Sequence, residues 1–189
     1  ADTYGTSFHV LDAELDNGEL IDQEIFQVRT GETAKELYVR TEYVSDLLFK
    51  RNLAAVANGS LATRPLDTSD EPVRARSSLL DLKPIPRDEL NDIESLSLRA
   101  RALDFLPFEP TYVDLENGRW YVFIDGSLGR TDWGSAPLKI STGSELLEQC
   151  ATGGSFAIRG PHRPLVFMPQ SEYASLYPVF NPSYSWIKP

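Results

Sequence analysis

The chain has little cysteine and little histidine: its 189 residues include a single cysteine, Cys150, and two histidines, His9 and His162. One cysteine cannot form a disulfide within the chain, and three residues so widely spaced do not make a zinc signature. Phosphate-binding loop, dinucleotide-binding, nucleophile-elbow and zinc-helix motifs are also absent. The sequence therefore predicts no metal, no cofactor and no assignable catalytic residue, and it favours a protein that is not an enzyme.

Positive charge is scarce as well. There are 18 Lys and Arg residues against 28 Asp and Glu, which gives a net charge of −10. Binding to a nucleic-acid backbone depends on Lys and Arg that replace counterions, so we expect no nucleic-acid partner. The chain has no apolar run of about 18 residues and no signal-peptide pattern, which predicts cytoplasmic synthesis and no membrane association.

The negative charge is concentrated near the N-terminus. Residues 1–30 contain a single basic residue, Arg29, and seven acidic ones: Asp2, Asp12, Glu14, Asp16, Glu19, Asp22 and Glu24. Clustered carboxylates can steer a basic protein toward a binding surface. One hypothesis is therefore an acidic binding or inhibitor module of the immunity type, in which Asp12, Glu14 and Asp16 contact the partner.

The first half of the chain predicts a hairpin followed by a helix. Two strand-like runs flank Asp16-Asn17-Gly18, and Asn-Gly supplies the positive φ of a tight turn. Residues 45–57 have helical spacing and end at Asn58-Gly59, whereas the β-branched and aromatic residues of 36–44 favour a strand. Residues 60–78 show no periodicity and are predicted to be a long surface loop.

The second half predicts a mixture of short strands and helices. Residues 90–105 fit both a helix and a strand, and four strict alternations from Leu96 favour a helix that becomes a strand there. A hairpin is predicted around residues 116–119, a strand at 136–141, a helix at 142–154 that is capped by Thr142, and two more strands and a last helix before residue 177. The sum is an α+β, sheet-rich single domain over residues 1–176 with antiparallel hairpins and a few short helices, followed by an extended tail at 177–189.

Two groups of residues suggest chemistry, and in both the structural interpretation is favoured. Asp125 ends an apolar strand, as the first metal carboxylate of RNase H-like nucleases does, but the residues after it lack the alternating strands and helices of that fold. A turn in which Asp125 binds its own backbone is the better interpretation. Cys150 with His162 gives a further alternative, a hydrolase, although Cys150 lies near the C-terminal end of its helix, where the dipole disfavours a thiolate.

The C-terminal tail supplies the main functional hypothesis. Prolines stiffen it, and its aromatic residues are of the kind that binding surfaces contain: Tyr177, Phe180, Tyr184 and Trp186. We therefore expect the partner to be another protein or copies of this chain. The sequence favours a structural or assembly protein, such as a component of a virus or phage particle, whose aromatic tail joins one subunit to the next.

Overall fold

The computed structural model describes residues 2–13, 18–65, 78–105, 108–127 and 136–176. The chain forms two compact units: Ala1–Glu32 with Glu36–Val73, and Thr33–Lys35 with Arg74–Pro189. The predicted α+β class with antiparallel hairpins and short helices is confirmed. In the described ranges, no helix combines the length and the apolar character needed to cross a bilayer.

The first unit contains the predicted N-terminal hairpin. Strand β1 (Thr3–His9) pairs antiparallel with β2 (Leu20–Gln27). Gly18 lies two residues before β2, where the Cβ of any other residue would be 1.6 Å from the carbonyl oxygen of Val10. Glycine is therefore required for this approach of the two backbones, while the predicted turn residues Asp16 and Asn17 lie outside the described residues.

One long helix, α1 (Ala34–Asn58), follows the hairpin, and most of it belongs to the first unit. The prediction of a strand at 36–44 was wrong: the segment has no proline or glycine, and its good helix formers continue the helix predicted for 45–57. The helix packs on one face of the hairpin, where the Ser45 and Thr6 hydroxyl oxygens are 2.8 Å apart. It ends before Gly59, whose φ is +63°.

The second unit is built on a four-stranded antiparallel sheet in the order β3 (Thr111–Leu115), β4 (Gly118–Ile124), β6 (Leu165–Pro169) and β5 (Phe156–Ile158). The predicted hairpin between β3 and β4 is confirmed, with Gly118 at φ +117°. Asn117 in its turn donates its side-chain amide to the Cys150 carbonyl oxygen at 3.0 Å and accepts from Trp120 Nε1 at 3.2 Å. The strand predicted at 136–141 was wrong, because only Leu138 forms a bridge there, to Ile158.

In the described part of the second unit, five helical segments accompany this sheet. They are α2 (Ser78–Asp81), a 3-10 turn (Arg87–Asn91), α3 (Ile93–Leu103), α4 (Gly143–Ala151) and α5 (Gln170–Leu176). The strand predicted from Leu96 was wrong: Leu96 and Ala100 are 0% and 1% exposed, and their spacing of four residues places both on one buried helical stripe. Asp92 caps this helix through an Oδ1 that accepts from Ser95 N at 3.0 Å.

The side chains of the central strands β4 and β6 alternate between the two faces of the sheet, and both faces are buried. One face packs against α3 and α4 through Trp120, Val122, Ile124, Leu165 and Phe167. The other face packs against Tyr173 of α5 through Tyr121, Phe123, Val166 and Met168. The predicted domain boundary at residue 176 stays a prediction, since residues 177–189 lie outside the described part.

Candidate functional site

Most residues predicted to contact a partner lie outside the described residues: Glu14, Asp16, Tyr177, Phe180, Tyr184 and Trp186. Asp12 is described and exposed, and its Oδ1 accepts from the Ala13 amide at 2.5 Å. The structure therefore places one of the seven predicted interaction residues at the surface and leaves the other six untested.

Two N-terminal carboxylates are already used within the first unit. Asp22 Oδ2 accepts from Asn52 Nδ2 at 2.7 Å and from Arg51 Nε at 2.9 Å, and Glu24 lies 3.2 Å from Arg51. The hydrogen bond from Asn52, followed by that from Arg51, holds the pKa of Asp22 below its ordinary value. These carboxylates attach β2 to α1, so they contribute less to steering a basic partner than the sequence suggested.

Asp125 lies in a turn at the end of β4. Its amide donates to the Pro164 carbonyl at 3.0 Å, and its carbonyl oxygen accepts from Arg163 NH2 at 2.5 Å. Within the described residues, no group of three His, Cys, Asp or Glu side chains could hold a metal ion. The backbone bonds place Asp125 in a turn that ends the strand, as the sequence predicted.

Cys150 lies inside the core of the second unit, near the end of α4. It is 1% exposed, and burial raises the pKa of its thiol to about 12. A nucleophilic cysteine needs a lowered pKa and access to its substrate. Cys150 has neither property, which argues against the hydrolase in which it pairs with His162.

We predict that Cys150 in the folded chain reacts with iodoacetamide at pH 8 at least about 100-fold more slowly than in the urea-unfolded chain, because both the thiolate and access are lacking. Between the ordinary pKa of 9.0 and about 12, the folded chain keeps a proton that the unfolded chain loses, so this thiol makes stability fall as pH rises. Mass spectrometry of the alkylated chain measures the rates, with Cys150→Ser as the unlabelled control. Equal rates with and without urea would contradict the buried position.

The start of α4 is occupied by protein groups. The Gly143 amide donates to Asn91 Oδ1 at 2.7 Å, and the Glu145 amide donates to Thr142 Oγ1 at 3.2 Å. The predicted cap by Thr142 is thus confirmed, while Glu145 Oε2 accepts from the Ser141 amide at 2.7 Å. Because these amides already have partners, the start of this helix is a structural cap rather than an anion site.

A polar network, the Glu109 cluster, lies beside β3 and β4 and comprises Lys83, Glu109, Asp114, Arg119 and Tyr121. Glu109 accepts from Arg119 NH1 at 3.2 Å, from the Tyr121 hydroxyl at 3.1 Å and from Lys83 Nζ at 3.5 Å. Arg119 also binds Asp114 through Nε at 2.8 Å and NH2 at 3.1 Å. The hydrogen bond to Asp114 raises the pKa of Arg119, and burial raises that of Tyr121.

The Glu109 cluster has a structural role, because it connects separate segments of the second unit. The Glu109 side chain is only 18% exposed and has three donors, so little acceptor capacity remains for a ligand. The guanidinium of Arg119 lies 3.5 Å from the centre of the Tyr112 ring, which adds a cation–π contact. The cluster therefore joins the segments that carry Lys83 and Glu109 to the hairpin.

The most unusual surface is on α1. Six of its large apolar side chains are 46–64% exposed: Tyr38, Val39, Tyr43, Leu47, Phe49 and Leu53. The sequence interpretation missed it because the first of these residues were placed in a strand. If one continuous helix had been predicted from residue 34, the sequence would have indicated more large apolar residues than one buried stripe can hold.

The fold of the chain is similar to that of several solved structures, which include formyltransferases. A 4-N formyltransferase from Francisella tularensis has 20% identity and a TM-score of 0.53, with 59% of this chain and 46% of that chain covered. The Helicobacter canadensis N-formyltransferase in complex with folinic acid and dTDP-3-aminofucose has 15% identity and a TM-score of 0.51, with 89% and 56% covered. HypX from Aquifex aeolicus has 14% identity and a TM-score of 0.57, with 95% and 32% covered.

These similarities concern the fold. The chain spans about half the length of the formyltransferases that it matches. No protein-family model and no curated protein matches it.

The fold similarity corrects the functional prediction from the sequence. The prediction of a non-enzymatic structural, assembly or virion protein was wrong, because the solved structures with a similar fold include several N-formyltransferases. The absence of a recognisable motif was weak grounds for excluding an enzyme. At 14–20% identity, a shared fold need not leave a shared motif in the sequence.

Proposed function

We propose that this chain is part of an enzyme that transfers a formyl group to an amino group of a nucleotide-linked sugar. The supporting observation is the shared fold with sugar N-formyltransferases, at TM-scores of 0.51–0.56. One of these was solved with folinic acid and dTDP-3-aminofucose, and another in the presence of dTDP and 5-N-formyl-THF. The proposed donor is therefore a formylated folate and the acceptor a dTDP-linked amino sugar.

The proposed reaction is an acyl transfer between two nitrogen atoms. The formyl carbon loses its bond to the donor nitrogen and gains a bond to the sugar amine, and one amine proton passes to the donor nitrogen, so no electrons are gained or lost. The amine is itself the nucleophile. The reaction therefore needs no cysteine nucleophile, which agrees with the burial of Cys150.

Three groups of the described residues that could bind the carboxylates of a folate are used within the protein. Arg119 binds Asp114, Arg51 binds Asp22, and the first amide of α4 is bound to Asn91. We therefore assign no catalytic step to a described residue.

The test combines turnover with binding, because the chain spans about half of the matched enzymes. The 189-residue chain is incubated with formyltetrahydrofolate and dTDP-3-aminofucose, and mass spectrometry follows the gain of one CO by the sugar. Calorimetry measures the binding of each ligand, with heat-unfolded chain as the control. Product formation or saturable binding of either ligand supports the proposal, whereas no product and no binding at millimolar concentration overturns it.

A further inference from the structure

Two positively charged residues lie side by side at the edge of the four-stranded sheet. Leu138 forms a parallel bridge to Ile158 of the outermost strand β5, and the Arg159 amide donates to the Leu138 carbonyl oxygen at 2.9 Å. Lys139 and Arg159 are the next residues along these two segments. Their backbones are therefore about one strand spacing apart, roughly 4.8 Å.

Both side chains lie on the same face of the sheet. Leu138 and Ile158 pack into the core that the sheet forms with α3 and α4, and Ile140 does the same. Because successive side chains of an extended segment alternate between the two faces, Lys139 and Arg159 lie on the opposite face. Both residues are exposed, so a ligand in solution can reach the two charges together.

The charges of these two residues are not neutralised by carboxylates of the described part of the chain. None of its ion pairs includes Lys139 or Arg159. Like charges directly opposite one another on neighbouring strands destabilise a sheet. The chain has an excess of acidic residues that could have paired with them, since its net charge is −10. This arrangement therefore indicates an anionic ligand rather than a contribution to folding.

We propose that Lys139 and Arg159 together bind a phosphate group with two negative charges, such as free phosphate or the phosphate of a nucleotide. The guanidinium of Arg159 matches two phosphate oxygens, and the ammonium of Lys139 can bind a third. Two cations also match the charge of a phosphomonoester at pH 7, which is about −1.5 to −2. A single carboxylate has one charge and two oxygens, so it would leave one of the cations unmatched. This inference does not depend on the proposed function.

Calorimetry tests the proposal by titrating the 189-residue chain with sodium phosphate and, separately, with thymidine monophosphate at low ionic strength. We expect saturable binding with a Kd of about 1 mM or lower, and no binding of sodium chloride at the same ionic strength. Arg159→Gln and Lys139→Gln should each weaken binding about 10-fold or more, because each removes one charge-assisted contact. Tighter binding of the nucleotide than of free phosphate would identify a phosphomonoester as the ligand, and the reverse would identify free phosphate.

Arg64→Gln is the matched control. Arg64 is an exposed cation of the first unit, and none of the ion pairs between described residues includes it. This variant loses the same charge as the other two, and its Kd should stay within about twofold of the wild-type value.

Urea denaturation without phosphate distinguishes a ligand site from a structural role. Lys139→Gln and Arg159→Gln should each keep or raise the urea midpoint, because each substitution removes the repulsion between the two cations. A lower midpoint in both variants would assign the pair a structural role and overturn the proposal. The proposal is also overturned if the wild-type chain binds neither phosphate compound, or if both glutamine variants bind as tightly as the Arg64 control.

Discussion

Phe167→Ala is expected to lower the free energy of unfolding by about 3–5 kcal/mol, as the loss of a buried aromatic side chain does when its surroundings cannot close the cavity. Phe167 is 0% exposed in the central strand β6. Its ring stacks on that of Phe156 with centroids 5.3 Å apart and planes inclined by 6°. Because β4 and β5 pair with β6 on its two sides, the cavity would lie between elements that hold one another in place.

Urea denaturation followed by fluorescence and circular dichroism measures this loss. Tyr4→Ala is the aromatic control, since Tyr4 is 48% exposed and should cost less than about 1 kcal/mol. If Phe167→Ala does not fold, Phe167→Leu keeps most of the volume and should cost about 1–2 kcal/mol. A cost for Phe167→Ala no larger than that of the Tyr4 control would show that the packing around β6 is wrong.

Glu109→Ala is expected to cost about 2–3 kcal/mol, which is below the usual range for a fully buried pair because Glu109 retains some access to solvent. The substitution leaves Lys83 without its carboxylate partner and removes an acceptor from Arg119 and Tyr121. Lys83 is only 11% exposed, so water replaces the lost carboxylate poorly. The penalty therefore arises mainly from the unpaired cation that remains.

Asp114→Ala is the matched control for this experiment. Asp114 also binds Arg119, but its side chain is 60% exposed, and an exposed ion pair contributes about 0–1 kcal/mol. Urea midpoints of the two variants at pH 7 give the comparison. Equal losses for Glu109→Ala and Asp114→Ala would mean that burial does not determine the strength of these contacts.

Local turn chemistry made much of the fold predictable. The turn at Asn117-Gly118 specifies a short hairpin, and its register places Asp114 opposite Arg119, so part of the Glu109 cluster was implicit in the sequence. Lys83 joins this cluster from 26 residues before Glu109. No local pattern indicates that approach, because it depends on the tertiary packing of the second unit.

The two helices with wrong predictions show where local patterns fail. The alternation expected of a strand is present in Leu96, Leu98, Ala100 and Ala102. Of these, Leu96 and Ala100 are buried in the core, whereas Leu98 is 61% exposed. Tertiary burial thus selected one of two patterns that the sequence fits equally well. In α1, the aromatic and β-branched residues of 36–44 suggested a strand because such residues prefer sheets. That prediction ignored the helical pattern that continues through residues 45–57.

The asparagine in the β3–β4 turn has fewer acceptable substitutes than its place in a tight turn suggests. Asn, Asp and Gly all suit such turns, but here the side chain must donate to the Cys150 carbonyl and accept from the Trp120 indole. An aspartate could only accept, and a glycine could do neither. Since Cys150 belongs to α4, a change in this turn would also alter the end of a helix 33 residues away in the chain. Engineers who exchange this loop for another tight turn should therefore expect the fit of that helix to change with it.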